Sequence, residues 1–395
     1  MKLAILAHSV PPHGTGQAMQ IYRLLEGIDP GKYCLISAVP IDSETGEGGF
    51  AKRLPTQYYD LPGEGRKITR GHRFINKSAR DRIELFLTIV HRYRQLRRIM
   101  IREQCDALMA FTGDVTHLPA GFMACRRLRI PFYAFVVDHY LYREWHTPAA
   151  TYWARRLEPT LMKRANKVIV LNEALRDDLR ERFGVEATIN RNSIDLSVYE
   201  GLKPAARNSD GIKIVFTGAI YQAHYDTFRN LMAAIDRLGR DDIKAHIYSG
   251  QKIEELHGNG IRDHFVLHPP ISMKDIPQTQ RDADILFLPL AFESPYPGVI
   301  KTSAPTKMGE FLAAGAPILV HAPADSYLSS YFQQHDCGVV VDQNDPGKLA
   351  EAIERILSDA ELRKTISANA RKRARIDFDI KNSRAAFAEL VGWND

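Results

Sequence analysis

The sequence predicts an α/β protein of two Rossmann-like, doubly wound domains, and three observations carry that prediction. The first is length: 395 residues exceed what one hydrophobic core usually organises, so two cores are expected. The second is alternation. Near-continuous apolar runs such as 107–111 (ALMAF), 131–137 (PFYAFVV) and 285–288 (ILFL) read as strands buried on both faces, and helical spacing separates each from the next. The third is the position of glycine. Gly14-Thr15-Gly16 and Gly218 stand just beyond strand ends, where open parallel sheets bind their ligands.

Taken in order, Leu3 to Leu6 form a first strand, and Ile21, Leu24, Leu25 and Ile28 the inner face of the helix after it. Tyr33 to Val39 and Gln57 to Leu61 come next as strands. Leu118 to Leu128 is a helix between the runs at 107–111 and 131–137, which completes a βαβ unit. Strands at Lys167 to Leu171 and Ala187 to Asn190 flank the helix of ALRDDLRERF. Residues 201–211, GLKPAARNSDG, have linker composition. A second domain then runs through strands at Ile212 to Phe216, Lys244 to Tyr248, Phe265 to Leu267, Ile285 to Leu288, Ile318 to Val320 and Gly338 to Val341. Helices are expected at Tyr327 to Phe332 and after Asp345-Pro346, where Leu349, Ile353 and Ile356 make one stripe. The expected organisation is residues 1–200 plus a last helix at about 378–395, the linker, and residues 212–377.

The apolar fraction of 45% and the mixed charge are those of a globular enzyme. Cys34, Cys105, Cys125 and Cys337 are scattered, with no CxxC pair and no histidine at metal spacing, so a reducing compartment is expected. The first apolar run is too short for a signal peptide, and no run approaches the roughly 18 apolar residues of a membrane span. A cytoplasmic protein is the expectation.

The net charge of +6 is uneven: 66–102 holds twelve Lys/Arg against Asp81 and Glu84, so the remainder of the chain is net acidic. From about Ala79 this segment reads as a long amphipathic helix, with Ile83, Phe86, Leu87, Val90, Leu96, Ile99 and Met100 among its arginines. Either it is a domain helix with a solvated basic face, or it holds the protein peripherally on an anionic membrane surface. No aromatic-laced RNA motif or zinc module accompanies the charge, which argues against nucleic acid.

The densest signal is the stretch from Glu293 to Val320, ESPYPGVIKTSAPTKMGEFLAAGAPILV. Pro295, Pro297 and Gly298 predict an irregular opening, and Pro305 suits a first helical position. Gly315 ends that helix, and Ile318 to Val320 form a buried strand. Met308, Phe311 and Leu312 fall on its core face, with Lys307 and Glu310 on the opposite, polar face. A helix start beside a Ser/Thr-bearing loop offers unpaired N–H groups to a phosphate. Lys307 could add about 4 kcal/mol before desolvation, taking ~4 Å and an effective dielectric near 20. Glu310, one turn on, can accept two hydrogen bonds from a vicinal diol such as a ribose. On spacing alone, an ordinary surface ion pair of roughly 0.2–0.5 kcal/mol explains the two residues as well.

The order PTK, MGEFLAAGAP, apolar strand resembles the nucleotide-sugar half-site of GT-B glycosyltransferases, in particular the retaining family four, and the likeness extends along most of the chain. It implies two Rossmann-like domains facing a central cleft, a nucleoside diphosphate sugar donor, and transfer of a hexose-like sugar to a hydroxyl acceptor, glycan or lipid-linked. It also implies retention of anomeric configuration, the donor phosphate taking the acceptor's proton, and hinge motion at the linker. In that family the first-domain loop faces the diphosphate and the acceptor, which gives Gly16 a catalytic place and His13, Gly14 and Thr15 an acceptor-side one. The expected polar pair at the end of the 131–137 strand is Asp138-His139, in the reverse of the family's usual order, with Glu144, Trp145 and His146 nearby. Asn192-Ser193-Ile194-Asp195 resembles the signature that closes the first domain.

In the second domain the family places an arginine and then a lysine for the diphosphate after its strand-end glycine, here Gly218. This sequence has GAIYQAHYDTF instead, so Lys301, Lys307 or His224 must supply positive character. Glu293 lies farther upstream of Glu310 than the family's paired glutamates do. Donor-sugar contacts are therefore expected from Glu293 or from backbone N–H groups of 297–302, the diphosphate on the helix start near Thr306 and Lys307, and Thr302 and Ser303 among the donor-binding residues. Asp282-Ala283-Asp284 looks like a DxD motif, but it precedes an apolar strand and reads as a helix end; no metal and no cofactor beyond the donor is expected. A sugar-nucleotide epimerase of the same fold, a nicotinamide-dependent oxidoreductase reading Gly14 to Gly16 as its cofactor turn, and a non-catalytic sugar-nucleotide sensor are the competing readings.

Overall fold

The computed structural model describes residues 1–41, 52–61, 76–140, 147–204 and 211–393. The chain divides into two compact units, Met1–Arg191 with Lys381–Asp395, and Asn192–Ile380. Each is an α/β unit built on one parallel sheet, as the alternation of apolar runs predicts. Residues 192–200, expected at the end of the first domain, and 201–204, expected to open the linker, belong with the second unit, and 205–210 lie outside the described residues.

The first sheet has strands β1 (Leu3–Ala7), β2 (Tyr33–Ser37), β3 (Gln57–Asp60), β4 (Ala107–Phe111), β5 (Phe132–Val136), β6 (Lys167–Val170) and β7 (Thr188–Ile189), in the order β3-β2-β1-β4-β5-β6-β7. Every neighbouring pair is parallel. Strand alternation splits β1 between two cores: Ala4 and Leu6 pack on one face, Leu3, Ile5 and Ala7 on the other. Helices cover both faces, which is why these strands read as unbroken apolar runs. The first core closes against helix His117–Leu128, where Gly121 permits a close approach: a Cβ there would meet Leu108 Cδ2 at 2.7 Å. The second is completed by the C-terminal helix Ile380–Val391, through Phe387, Leu390 and Val391, and by Trp393. The Trp393 indole N–H donates to Met1 O at 2.9 Å.

The second sheet has strands β8 (Ile212–Thr217), β9 (Ile243–Tyr248), β10 (Phe265–His268), β11 (Ile285–Pro289), β12 (Ile318–His321) and β13 (Val339–Val341), in the order β10-β9-β8-β11-β12-β13. The direction of winding reverses between β8 and β11, so the carboxyl ends of these two strands form the topological switch point. The corresponding reversal in the first sheet lies between β1 and β4.

Two local expectations change. The irregular opening expected from Pro295 is in part a helix, Pro297–Thr302, with Pro297 in its first turn. The next helix is Lys307–Ala314, with Thr306 as N-cap. Pro305 stands before that cap, its carbonyl accepting from Met308 N at 2.9 Å. Proline's fixed φ fits a helix start and a turn equally well, so the sequence could not separate the two positions.

The long basic helix spans Lys77–Arg102 and buries Ile89, Arg92, Leu96 and Met100. Arg92 donates to Asp114 at 2.6 Å, so part of the segment's charge is spent inside the first unit. Residues 66–75 lie outside the described residues.

Candidate functional site

At the switch point of the second unit, β8 ends in Thr217 and the chain turns through Gly218, whose φ of +114° disfavours any side chain. Lys307 arrives at this turn from the start of helix Lys307–Ala314. Its ammonium lies 4.3 Å from the Phe216 ring centroid, and a Cβ on Gly218 would be 3.1 Å from Nζ. Among the described residues no carboxylate stands within ion-pair distance of it. Burial pushes the Lys307 pKa from 10.5 down to about 8, against the opposing pull of Glu310. The alternative of an ordinary surface ion pair is not what Lys307 makes: its head is packed against β8.

His224 lies beside it, 3% exposed, with its ring 5.7 Å from that of Phe216. Burial and then the Lys307 charge hold its pKa well below 6.5. His224 is thus neutral and drops out as a source of positive character. Lys301 is exposed on helix Pro297–Thr302, so Lys307 is the candidate cation at the Gly218 turn.

Helix Lys307–Ala314 is fixed from several sides. Met308, Phe311 and Leu312 are fully buried, and Gly309 lies under Phe378, where a Cβ would meet ring carbon Cδ1 at 3.0 Å. Arg281 Nη1 donates to Ala314 O at 3.1 Å and Gly315 O at 2.7 Å, capping the carbonyl end. Its neighbour Gln280, fully buried, reaches the functional face. Gln280 Nε2 donates to Thr217 Oγ1 at 3.2 Å and, at 3.4 Å, to Glu310 Oε2, while its Oε1 accepts from Tyr199 OH at 3.2 Å. One amide thus ties the strand end to the carboxylate one turn beyond Lys307.

The remaining candidates of the second unit divide between exposed side chains and structural ones. Glu293 is exposed, but its backbone is pinned: Asp226 Oδ2 accepts from Phe292 N at 2.7 Å and Glu293 N at 2.8 Å. Thr302 is buried and its hydroxyl donates to Gly298 O at 3.2 Å. Ser303 is half-buried and Thr306 exposed. Val299 N and Ile300 N bond to Tyr296 O, so these two amides serve the local helix first. Asp282 is the C-cap of helix Ile276–Arg281, and Asp284 Oδ2 accepts from Lys213 N at 2.9 Å; both acids of the DxD-like triplet belong to the fold.

In the first unit, the loop after β1 leads into helix Gly16–Leu25, with Thr15 as N-cap accepting from Ala18 N at 3.2 Å. The Thr15 and Ser9 hydroxyls are 2.5 Å apart. Gln17 clamps this loop to the switch point. Its Oε1 accepts from His8 N at 2.9 Å and its Nε2 donates to Thr112 O, just past β4, at 2.8 Å. Gly14 and Gly16 are exposed, whereas His13 is 2% exposed.

Beyond β5 the two members of the Asp138-His139 pair separate. His139 is 4% exposed, its Nδ1 3.6 Å from Asp178 Oδ2, beside Arg182, which donates to Glu158 at 2.7 Å. Burial holds the His139 pKa down against the pull of Asp178. His139 therefore belongs to a buried polar cluster, and Asp138 is the more exposed of the two. Trp145, with Glu144 and His146, lies outside the described residues.

Sequence reasoning missed Gln280, Gln17 and Asp226. The last had a readable signal, an acid in the first turn of helix Tyr225–Leu238. The two glutamines had none.

Residues 54–198 match the family model described as Glycosyltransferase Family 4, and residues 203–373 the one described as Glycosyl transferases group 1. No curated protein matches the chain in sequence. Among solved structures, the chain is similar to a sucrose-phosphate synthase from Thermosynechococcus elongatus, at 15% identity and TM-score 0.69, covering 100% of this chain and 99% of the other. It is similar to the Anabaena protein HepE, solved with UDP, at 14% identity and TM-score 0.66, covering 100% of each. A glycosyltransferase from Rickettsia africae matches at 12% identity and TM-score 0.68, covering 98% of this chain and 96% of that one. The fold and the two family matches define a nucleotide-sugar-dependent glycosyltransferase of the GT-B class. The chain belongs to the group 1 glycosyltransferases.

Proposed function

We propose that this enzyme is a retaining, metal-independent hexosyltransferase that moves a hexose-like sugar from a nucleoside diphosphate to a hydroxyl of a glycan or lipid-linked acceptor. The setting proposed is bacterial polysaccharide, glycolipid or glycoconjugate synthesis, at the inner face of a membrane. The observation that carries the donor assignment is the ammonium of Lys307 packed at the Gly218 turn, with Glu310 one helical turn away and tied to the same strand end by Gln280.

In this reading the donor diphosphate lies against Gly218, Lys307 and the N–H groups that open helix Lys307–Ala314, and the ribose diol on Glu310. Negative charge grows on the diphosphate as the glycosidic bond breaks, and a fixed ammonium and amide dipoles stabilise it without reorganising. Lys301, Thr302, Ser303, Thr306 and Glu293 border the sugar. Gly16, Gly14, Thr15 and Asp138 serve the acceptor side, where Asp138 is preferred over the enclosed His139.

The test is a thermal-shift screen of sugar nucleotides, beginning with UDP-glucose because HepE of Anabaena has been solved with it. A donor at about 100 times its Kd stabilises the folded enzyme by ~2.7 kcal/mol, a shift of several degrees. Glu310→Ala should lose most of that shift. Equal stabilisation of wild type and variant removes the ribose assignment, and an inverted product anomer by NMR removes retention. An epimer formed from donor alone would point instead to the epimerase chemistry of the same fold.

A further inference from the structure

We propose that the amino-terminal halves of helices Lys77–Arg102 and Pro148–Arg164 form a docking face for an anionic phospholipid bilayer, with lipid phosphates held by Arg155 and Arg156. The proposal rests on the membrane-peripheral reading above and assigns it to a particular surface.

Ile83 and Phe86, at i and i+3 on one helix, are each 44% exposed, and Tyr152 on the other is 37% exposed. They are held in place by an aromatic framework. Phe86 stacks on Trp153 at 5.5 Å, the Trp153 indole N–H donates to Arg82 O at 2.9 Å, and the Arg82 guanidinium lies 4.2 Å over the Tyr152 ring. Apolar side chains that a framework keeps facing outward are available to a second phase without a conformational cost at binding.

Beside them is a shallow pocket of 630 Å³ lined by Pro148, Thr151, Tyr152, Arg155 and Arg156. Both arginines are exposed, and guanidinium forks match phosphate oxygens. The nearby acids do little to offset them. Glu84 accepts from Arg80 at 3.1 Å and Glu158 is buried against Arg182, which leaves Asp81 as the remaining carboxylate on these helix halves. A surface with an apolar tip, aromatic shoulders and phosphate-matching cations has the layering of a headgroup–acyl boundary.

The same observations set aside the simpler idea that the whole basic segment faces lipid. The carboxyl half of helix Lys77–Arg102 turns Leu96 and Met100 inward, and Arg92 is engaged by Asp114. Charge count alone therefore overstates what that helix offers a membrane.

Co-sedimentation of the full chain with vesicles of equal parts phosphatidylglycerol and phosphatidylcholine, against pure phosphatidylcholine, tests the proposal. Wild type should pellet with the anionic vesicles only. Arg155→Ala with Arg156→Ala should weaken binding about thirtyfold, and Ile83→Ser with Phe86→Ser about tenfold, with the donor-induced shift unchanged in both. Arg94→Ala with Arg98→Ala, at two exposed cations on the other half of the same helix, should change binding less than threefold. If all variants pellet like wild type, this face is wrong while the membrane reading stands; if wild type does not pellet, both fall. Release from vesicles by millimolar inorganic phosphate would mark a free-phosphate site, and retention on single-stranded RNA in preference to vesicles would mark a nucleic-acid surface; either overturns the lipid assignment.

Discussion

Replacing Lys307 by methionine keeps the length and apolar stem of the side chain and deletes the ammonium beside Gly218. In the free enzyme that ammonium is a cost. Its pKa falls from 10.5 to about 8 through burial, which corresponds to a penalty on the order of 3 kcal/mol for holding the charge inside. The cation–π contact with Phe216 at 4.3 Å returns roughly 1–2 kcal/mol. In the proposed donor complex the sign would reverse, because a diphosphate at ~4 Å offers about 4 kcal/mol at an effective dielectric near 20 before its own desolvation. Charge-assisted hydrogen bonds net about 1.5–3 kcal/mol, so Lys307→Met should lower kcat/KM for the donor roughly 10- to 150-fold.

The same shift sets the pH dependence. A lysine whose folded pKa is below its unfolded value binds fewer protons in the native state between about pH 8 and 10.5. Native stability therefore rises with pH across that window, and the full penalty applies below it. Lys307→Met should thus be as stable as wild type or more so at pH 7, an advantage that shrinks towards pH 10.5. A bound diphosphate raises the lysine pKa, so donor binding near pH 8 should take up a fraction of a proton. Titration calorimetry in buffers of different ionisation enthalpy reads that proton directly; it should disappear at pH 6 and in the methionine variant. A variant that binds donor like wild type, or a wild type that takes up no proton near pH 8, refutes the reasoning.

Gly218→Ala places a methyl where φ is +114°, 3.1 Å from Lys307 Nζ, and should cost roughly 1–2 kcal/mol of stability by thermal melting, with loss of the donor-induced shift. Gln280→Leu removes the amide shared by Thr217, Tyr199 and Glu310; steady-state kinetics should show a donor KM raised about tenfold with kcat changed less than threefold. Asp114→Asn leaves Arg92, 7% exposed, without its carboxylate and should destabilise by about 3–5 kcal/mol in urea titration. Burial raises the Asp114 pKa, but His117 and then Arg92 outweigh it and hold it well below the usual carboxylate range. The stability it contributes is therefore present above about pH 4 and lost as acid titrates the native carboxyl.

The boundary between legible and hidden features of this chain is a physical one. The strands were legible because parallel strands covered on both faces leave unbroken apolar runs, as in β1, β4, β5 and β11. The helix carrying Glu310 was legible from Met308, Phe311 and Leu312 at core spacing and Gly315 at its end. The environment of Lys307 was not, because helical periodicity reports the face of a helix and not what another segment brings against that face. Here the Gly218 turn lies against a side that the pattern marks only as polar. Gln280 was invisible for the same reason: a glutamine in a six-residue helix has no periodic signature, and its role exists only through partners distant in sequence. The buried part played by Arg92 shows the converse error, since a count of charges cannot see which of them are already paired.

The departure at the Gly218 turn and the burial of Lys307 are best understood as one arrangement. The diphosphate site proposed above needs positive charge at the carboxyl end of β8, and GAIYQAHYDTF contains neither lysine nor arginine. The nearest imidazole, His224, is held neutral by burial and then by Lys307 itself, so a second cation at the turn would face like-charge repulsion in a dry setting. One lysine from another helix satisfies the requirement only if the backbone can come close to it, which the glycine allows, and if its helix is held in register. Gly309 under Phe378, Arg281 on the terminal carbonyls and Gln280 on Glu310 provide that register. Substitutions at these supports should therefore act on donor binding through the position of Lys307 and Glu310, although none of the three is itself assigned to the donor.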